Sequence, residues 1–202
     1  MEDYLENKKS ENHSMARSQI YRFLARAFDY PAARRKGLYY FAEALPWFRE
    51  LPSEKLENLA ALIIQSTQAL DLESLQQEYV RLFDYRPVCP IQESSYMNNS
   101  TMTDLINSLV EFYSKSGLSC GNTMPPDHLV TELELMQYLC FQEFVDCEKN
   151  PVKWRELQIE FLASHLATWV PAFASRLESM TDTPYRLLGK MAMDFIGIES
   201  IS

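Results

Sequence analysis

The sequence predicts an all-α fold: a single compact globule of about eight to ten helices over residues 1–202. Three observations predict it. Apolar residues recur at intervals of three and four almost throughout, no stretch alternates as a strand would, and 202 residues with 47% hydrophobic content can bury one good core. From Ser18 the set Ile20, Phe23, Leu24, Ala27 and Phe28 shares one helical face, and the segment stops at Asp29-Tyr30-Pro31. Leu56, Leu59, Leu62 and Ile63, then Leu72, Leu75, Tyr79, Leu82 and Phe83, continue the pattern. It breaks over residues 84–100, where Pro87, Cys89-Pro90, Glu93, Asn98 and Asn99 predict an ordered but non-helical connector. Connections of that length inside a compact domain are often functional. Helical spacing resumes through Leu105, Leu109, Phe112 and Tyr113, ends near Gly117, and gives way to a hinge-like break over about 118–126. The next helix is expected from about Asp127, with Leu129, Leu133, Met136 and Cys140 on one stripe and Glu132, Glu134 and Glu143 on an acidic face. A last long helix, roughly Trp154 to Met180, carries Phe161, Leu162, His165, Leu166, Trp169 and Phe173, with a kink or break expected at Pro171.

Charge and cysteines narrow the function. A formal charge of −9 argues against nucleic acid, whose phosphates call for a basic patch, and favours a cationic partner such as a basic peptide. Cys89, Cys120, Cys140 and Cys147 contain no CxxC pair, so neither a zinc ribbon nor a thioredoxin-type motif is written here, and free thiols in a reducing cytoplasm are the plain expectation. Residues 1–18 lack the apolar core of a secretory signal, and no apolar run approaches the roughly 18 to 20 residues that span a bilayer. A soluble, cytoplasmic protein that is not itself exported is expected. Arg34-Arg35, followed by Lys36-Gly37-Leu38-Tyr39-Tyr40-Phe41-Ala42, imitates a twin-arginine leader, but it lies far from the N-terminus and Glu43 interrupts the apolar run.

Catalytic signatures are missing. There is no GxxxxGK[ST] phosphate loop, no GxGxxG after a strand, and five glycines in all to build such turns. His13, His128 and His165 are too widely spaced to offer paired metal ligands, so no metal or other cofactor is expected. Asp127 and His128 are adjacent, and neighbours on a helix point about 100° apart, which rules out an ordinary acid/base dyad. His165, among Phe161, Leu162, Leu166 and Trp169, reads as a hydrogen-bonded core histidine. Binding without turnover is the expectation.

The most specific stretch runs from Met124-Pro125-Pro126-Asp127-His128 through Leu129, Glu132, Leu133 and Met136. Two prolines set a rigid, extended lead-in, and Asp127 suits the free N–H groups and positive dipole end of a helix start. This block resembles the twin-arginine leader-binding redox chaperones, the TorD/DmsD/NarJ family. A second block strengthens the likeness: Gln77-Glu78-Tyr79-Val80-Arg81-Leu82-Phe83, then Cys89-Pro90, then Glu93-Ser94-Ser95-Tyr96. Phe161-Leu162-x-x-His165-Leu166-x-x-Trp169 and Arg17-x-x-x-Tyr21-x-x-Leu24-x-x-Ala27-Phe28 add softer matches. Two positions depart from the family pattern. Met124 stands where leader-binding members carry an acidic or amide residue, and Cys89-Pro90-Ile91 stands where some carry a Pro-Trp pair, for which Trp47 is a possible substitute.

The resemblance implies a TorD/DmsD-like helical chaperone that holds the catalytic subunit of a molybdenum- or tungsten-containing oxidoreductase, by its leader or its mature part, during cofactor insertion and before export. A leader with two arginines and an apolar segment asks for carboxylates beside an apolar groove. Asp127, Glu132 and Glu93 are expected to meet the arginines; Leu82, Phe83, Tyr96, Leu129 and Met136 to line the groove, with Pro125, His128 and Pro90 beside them. Affinity near micromolar, about −8 kcal/mol, would permit release. The family also implies domain-swapped dimers and has been associated with guanine nucleotides. Two other readings stand beside it: an adaptor that binds a folded partner through the Glu132/Glu134 face, and a guanine-nucleotide-binding protein.

Overall fold

The chain runs through α1 (Glu2–Phe28), α2 (Phe41–Arg49), α3 (Glu54–Gln68), α4 (Leu72–Phe83), a short 3-10 helix (Glu93–Tyr96), α5 (Met102–Lys115) and α6 (Leu129–Val145). It then passes through α7 (Pro151–Phe161), a π turn (Leu162–Leu166), α8 (Ala167–Met180) and α9 (Pro184–Glu199). This is a computed structural model, which describes residues 2–32, 41–51, 53–97, 101–119, 124–146 and 150–201, the side chains of 2–11, Phe41 and Pro151 excepted. Short polar side chains fix several helix starts. Ser53 accepts from the backbone N–H of Leu56 at 3.4 Å, Asp71 from Ser74 at 2.7 Å, and Thr101 from Asp104 at 3.2 Å, opening α3, α4 and α5. No strand occurs among the described residues, and the all-α expectation holds. One isolated antiparallel bridge, Gln92 to His128, ties the connector to the start of α6.

α1 packs along α6 and α8 along α9, while α9 also meets α3. Ile20, Leu24 and Phe28 thereby share one buried apolar cluster with Leu133, Met136, Phe173, Leu188 and Phe195. A charged cluster crosses it. Arg17 in α1 donates from Nε to Glu199 of α9 at 2.6 Å and from Nη1 to Glu143 of α6 at 3.0 Å, and its Nη2 bonds the Gln158 carbonyl of α7. Arg17 and Glu199 are both buried, so four helices are fixed by one guanidinium whose charge is met inside the protein.

Several elements differ from the sequence pattern. α1 begins at Glu2 rather than near Ser18, and α2 and α9 add helices to those the pattern predicts. α9 nonetheless places Tyr185, Leu188, Ala192 and Phe195 at helical spacing on its buried face. The chain does not break at Pro171, which lies inside α8. A proline ring crowds the carbonyl four residues back, here that of Ala167, and the π turn ends immediately before Ala167. The irregularity is thus taken up upstream of the proline. The connector is not wholly non-helical, since it holds the 3-10 helix. Arg34, Arg35, Asn98, Asn99, Cys120 and Cys147 lie outside the described residues. Among those described, no helix is long and apolar enough to cross a membrane.

Candidate functional site

The connector and the lead-in to α6 meet edge to edge. Glu93 N–H donates to the Asp127 carbonyl at 2.9 Å and Leu129 N–H to the Ile91 carbonyl at 3.0 Å. Tyr113 of α5 adds its hydroxyl to the Pro126 carbonyl at 2.9 Å, and Tyr96 closes the connector on itself by donating to the Pro90 carbonyl at 2.8 Å. The two segments that resemble the chaperone family are therefore one junction in space.

The helix cap differs from the sequence expectation. α6 is capped by His128, whose Nδ1 accepts from Val130 N–H at 3.2 Å. Asp127 lies one residue outside the cap, and its Oδ2 accepts instead from Ser94 N–H at 3.4 Å, at the start of the 3-10 helix. The aspartate thus serves the neighbouring element. His128 is buried, and desolvation pushes its pKa down to about 4, which keeps the imidazole neutral and its Nδ1 free to accept.

Behind this seam lies a cluster of buried acids. Asp127 is 1% exposed, Glu132 0% and Glu93 3%, so none of the three faces solvent. Glu132 Oε2 accepts from Trp169 Nε1–H of α8 at 3.1 Å, and Glu93 faces His165 Nδ1 in the π turn at 3.0 and 3.3 Å. Burial, reinforced by the charge of Glu93, pushes the Glu132 carboxyl well above the ordinary range, which favours its protonated form. Its second oxygen, Oε1, is buried with no hydrogen-bond partner among the described residues. A π turn delivering the histidine fits the habit of such turns to occur at functional sites.

The remaining predicted residues separate into two groups. Leu82, Phe83, Leu129 and Met136 are core residues: Phe83 sits against Tyr79, Phe173 and Tyr185 with ring centroids 5.2, 6.2 and 5.3 Å away. As packed here they do not line an open groove, because the same periodicity that marks an apolar stripe serves core and groove alike. Tyr96 and Pro90 are half-buried and Pro125 is exposed, and these rim the junction. Tyr96 stacks on Trp169 with centroids 5.5 Å apart. Glu132 and Glu134 do not form one acidic face, since residues two apart project to opposite sides and Glu134 alone is exposed. That removes the feature behind the adaptor reading. Cys89 is not exposed either: it is fully buried, and burial pushes its thiol up, away from the reactive thiolate.

His165 is the buried, hydrogen-bonded histidine the sequence predicts, yet it also completes the acid cluster. Trp169 belongs to the cluster as well. The four-residue spacing of His165 and Trp169 was the available signal, but an apolar helix face hides it. Among the described residues no group of three or more His, Cys, Asp or Glu side chains is arranged to hold a metal ion.

Comparison with known proteins brings these observations together. The family described as "Nitrate reductase delta subunit" matches residues 49–175, which include the whole junction. The chain is 33% identical to a selenate reductase assembly chaperone protein of Thauera selenatis over 128 residues, 60% of this chain. It is 32% identical over 128 residues to a chlorate reductase assembly chaperone protein of Ideonella dechloratans, again 60% of this chain. The match spans 66% of the length of each of these relatives. In structure the chain is similar to a protein from Archaeoglobus fulgidus described as a redox enzyme maturation protein, with a TM-score of 0.56 at 21% identity, covering 89% of this chain and 93% of the other. That likeness supports the fold.

Proposed function

The chain belongs to the nitrate reductase delta subunit family, and we propose that it is an assembly chaperone for the catalytic subunit of a molybdenum- or tungsten-containing oxidoreductase. The single observation that carries this is the family match over the connector and the start of α6, joined by two relatives named as assembly chaperones for reductases. The protein acts in the cytoplasm by binding, without turnover, and holds the client until its cofactor is in place and export can proceed. The client's twin-arginine leader, its mature part, or both supply the contact.

The junction suits this role because it is shaped by groups that are costly to bury. Asp127, Glu93 and Glu132 hold the connector against α6 and π turn, and rim residues Pro90, Tyr96 and Pro125 meet the client at its edge. An interior that keeps three carboxyls with no lysine or arginine among their hydrogen-bond partners in the described residues is poised to exchange internal bonds for a cationic partner.

Affinity capture from an anaerobically grown host, with mass spectrometric identification, tests the reading. Recovery of one oxidoreductase catalytic subunit is expected; recovery of none, under conditions in which the oxidoreductases are made, would overturn it.

A further inference from the structure

The segment from α7 through the π turn into α8 buries its side chains on a strict four-residue repeat. Leu157, Phe161, His165, Trp169, Phe173 and Leu177 are all buried, each four residues after the last. So are Trp154, Gln158, Leu162, Leu166, Val170 and Ala174. An α-helix repeats every 3.6 residues, so side chains four apart are turned by about 40°, and five such steps would carry either row about 200° around the axis, away from the core. The rows stay on the core because the π turn inserts a surplus residue, which takes back about 100°. The remainder falls within the width of a stripe that buries two neighbours on every turn. A uniform repeat of four therefore calls for a surplus residue without saying on which turn it sits.

The place matters to the junction. With the surplus at Leu162–Leu166, His165 Nδ1 lies 3.0 Å from Glu93, and Trp169 donates to Glu132 at 3.1 Å while stacking on the rim residue Tyr96. The turn closes through the Ala167 N–H, which donates to the Leu162 carbonyl five residues back. One repeat later, a π turn would have to close from residue 171 to the Leu166 carbonyl, and residue 171 is a proline with no N–H to give. A shift to that turn would rotate the residues from His165 towards Trp169 by up to about 100° and part them from Glu93 and Glu132. On the upstream side, Trp154 donates to Asp146 at 3.0 Å and Gln158 is bonded to Arg17, contacts that fix the register of α7.

We infer that Pro171 is a positioning residue for client binding: it bars the surplus residue from the next turn and so holds His165 and Trp169 on the buried acids that set the connector and its rim. Pro171 is itself exposed, so it acts through these two side chains rather than by packing in the core. A proline on the exposed face of a helix interior otherwise costs stability, because it removes a backbone bond and crowds the carbonyl four residues back. Here that cost is offset by a single register for the junction. The inference rests on the reading of the junction as the client's site.

The test compares the full wild-type chain with Pro171→Ala, both labelled at the histidine ring nitrogens, and uses as probe the catalytic subunit recovered by affinity capture. The melting temperature of Pro171→Ala is expected to equal or exceed that of the wild type, since alanine is the better helix former. His165, assigned by the signals lost in His165→Gln, should nevertheless show a second set of ring-nitrogen signals in Pro171→Ala. Client affinity should fall at least about twofold, the loss that follows when half the molecules hold the competent register. The exchange Ala167→Pro/Pro171→Ala keeps the composition and one helical proline but removes the N–H that closes the present turn; it should move the His165 signals completely and weaken client binding about tenfold or more. A single, unmoved set of His165 signals in Pro171→Ala would overturn the assignment, whatever happens to its melting temperature. Equal client affinity of wild type and Pro171→Ala would also sink it, while leaving the chaperone reading intact; failure of the wild type to capture any client would remove that reading, and with it the role assigned to Pro171.

Discussion

Among the described residues two charged clusters are buried, and they are built on opposite principles. Around Arg17 a single guanidinium faces Glu199, Glu143 and Gln158, so each charge lies against its complement. At the junction Asp127, Glu93 and Glu132 come together with Trp169, a neutral His128 and His165, and among the described residues no lysine or arginine bonds to them. The first arrangement fastens α1, α6, α7 and α9 to one another. The second spends stability on buried carboxyls held by one indole, one imidazole and a backbone N–H. A complemented buried charge is explained by the fold; an uncomplemented one asks for a function.

Breaking the first cluster should produce the largest effect. Arg17→Met leaves Glu199 buried without its partner and is expected to cost about 3–5 kcal/mol in urea-induced unfolding. The client affinity of the fraction still folded should be unchanged, because the cluster fastens the scaffold and does not touch the junction.

The next effect appears on acidification. His128 is held at about 4 against 6.5 in the unfolded chain, so the unfolded state takes up a proton first as pH falls. Its contribution to stability is full above about 6.5, declines as pH drops toward 4, and amounts to roughly 3 kcal/mol at most. His128→Asn keeps a good cap for α6 but cannot titrate. Chemical denaturation of this variant from pH 7 to 4 should therefore show a flatter decline than wild type.

The third effect is opposite in sign. Glu132 has its pKa raised by burial and by Glu93, so its contribution is full below the ordinary carboxylate value near 4.5 and is lost as pH rises. Glu132→Gln keeps the shape and the bond from Trp169 without the ionisation. It should raise the melting temperature at pH 7 and leave it nearly unchanged at pH 4. A lower melting temperature at both values would show that the carboxyl is needed as such.

Much of the fold was legible in the sequence because helix cores leave a regular trace. Leu75, Tyr79, Leu82 and Phe83, or Leu105, Leu109, Phe112 and Tyr113, report both a helix and its buried face. Ser53, Asp71 and Thr101 mark helix starts through local chemistry alone. The junction was legible in part: the connector and the Pro125-to-His128 block stand out, and the structure brings them together. What the pattern cannot convey is which face a polar residue takes. Glu132 and Glu134 look alike in sequence, yet one is fully buried and the other exposed. Asp127 looks like a cap for its own helix, but its side chain caps an element more than thirty residues earlier. Long-range pairing of this kind leaves no periodicity to read.

The central claim, that the junction serves client binding, is tested most directly by calorimetric titration of the purified, cofactor-free catalytic subunit into wild-type protein and into an Asp127→Ala/His128→Ala double variant, with helical content compared by circular dichroism. The account predicts equal helicity and an affinity about tenfold or more weaker for the variant, of the size expected when two buried bonds that shape a site are lost. Equal affinity for the two proteins would contradict it and return Asp127 and His128 to a purely structural role.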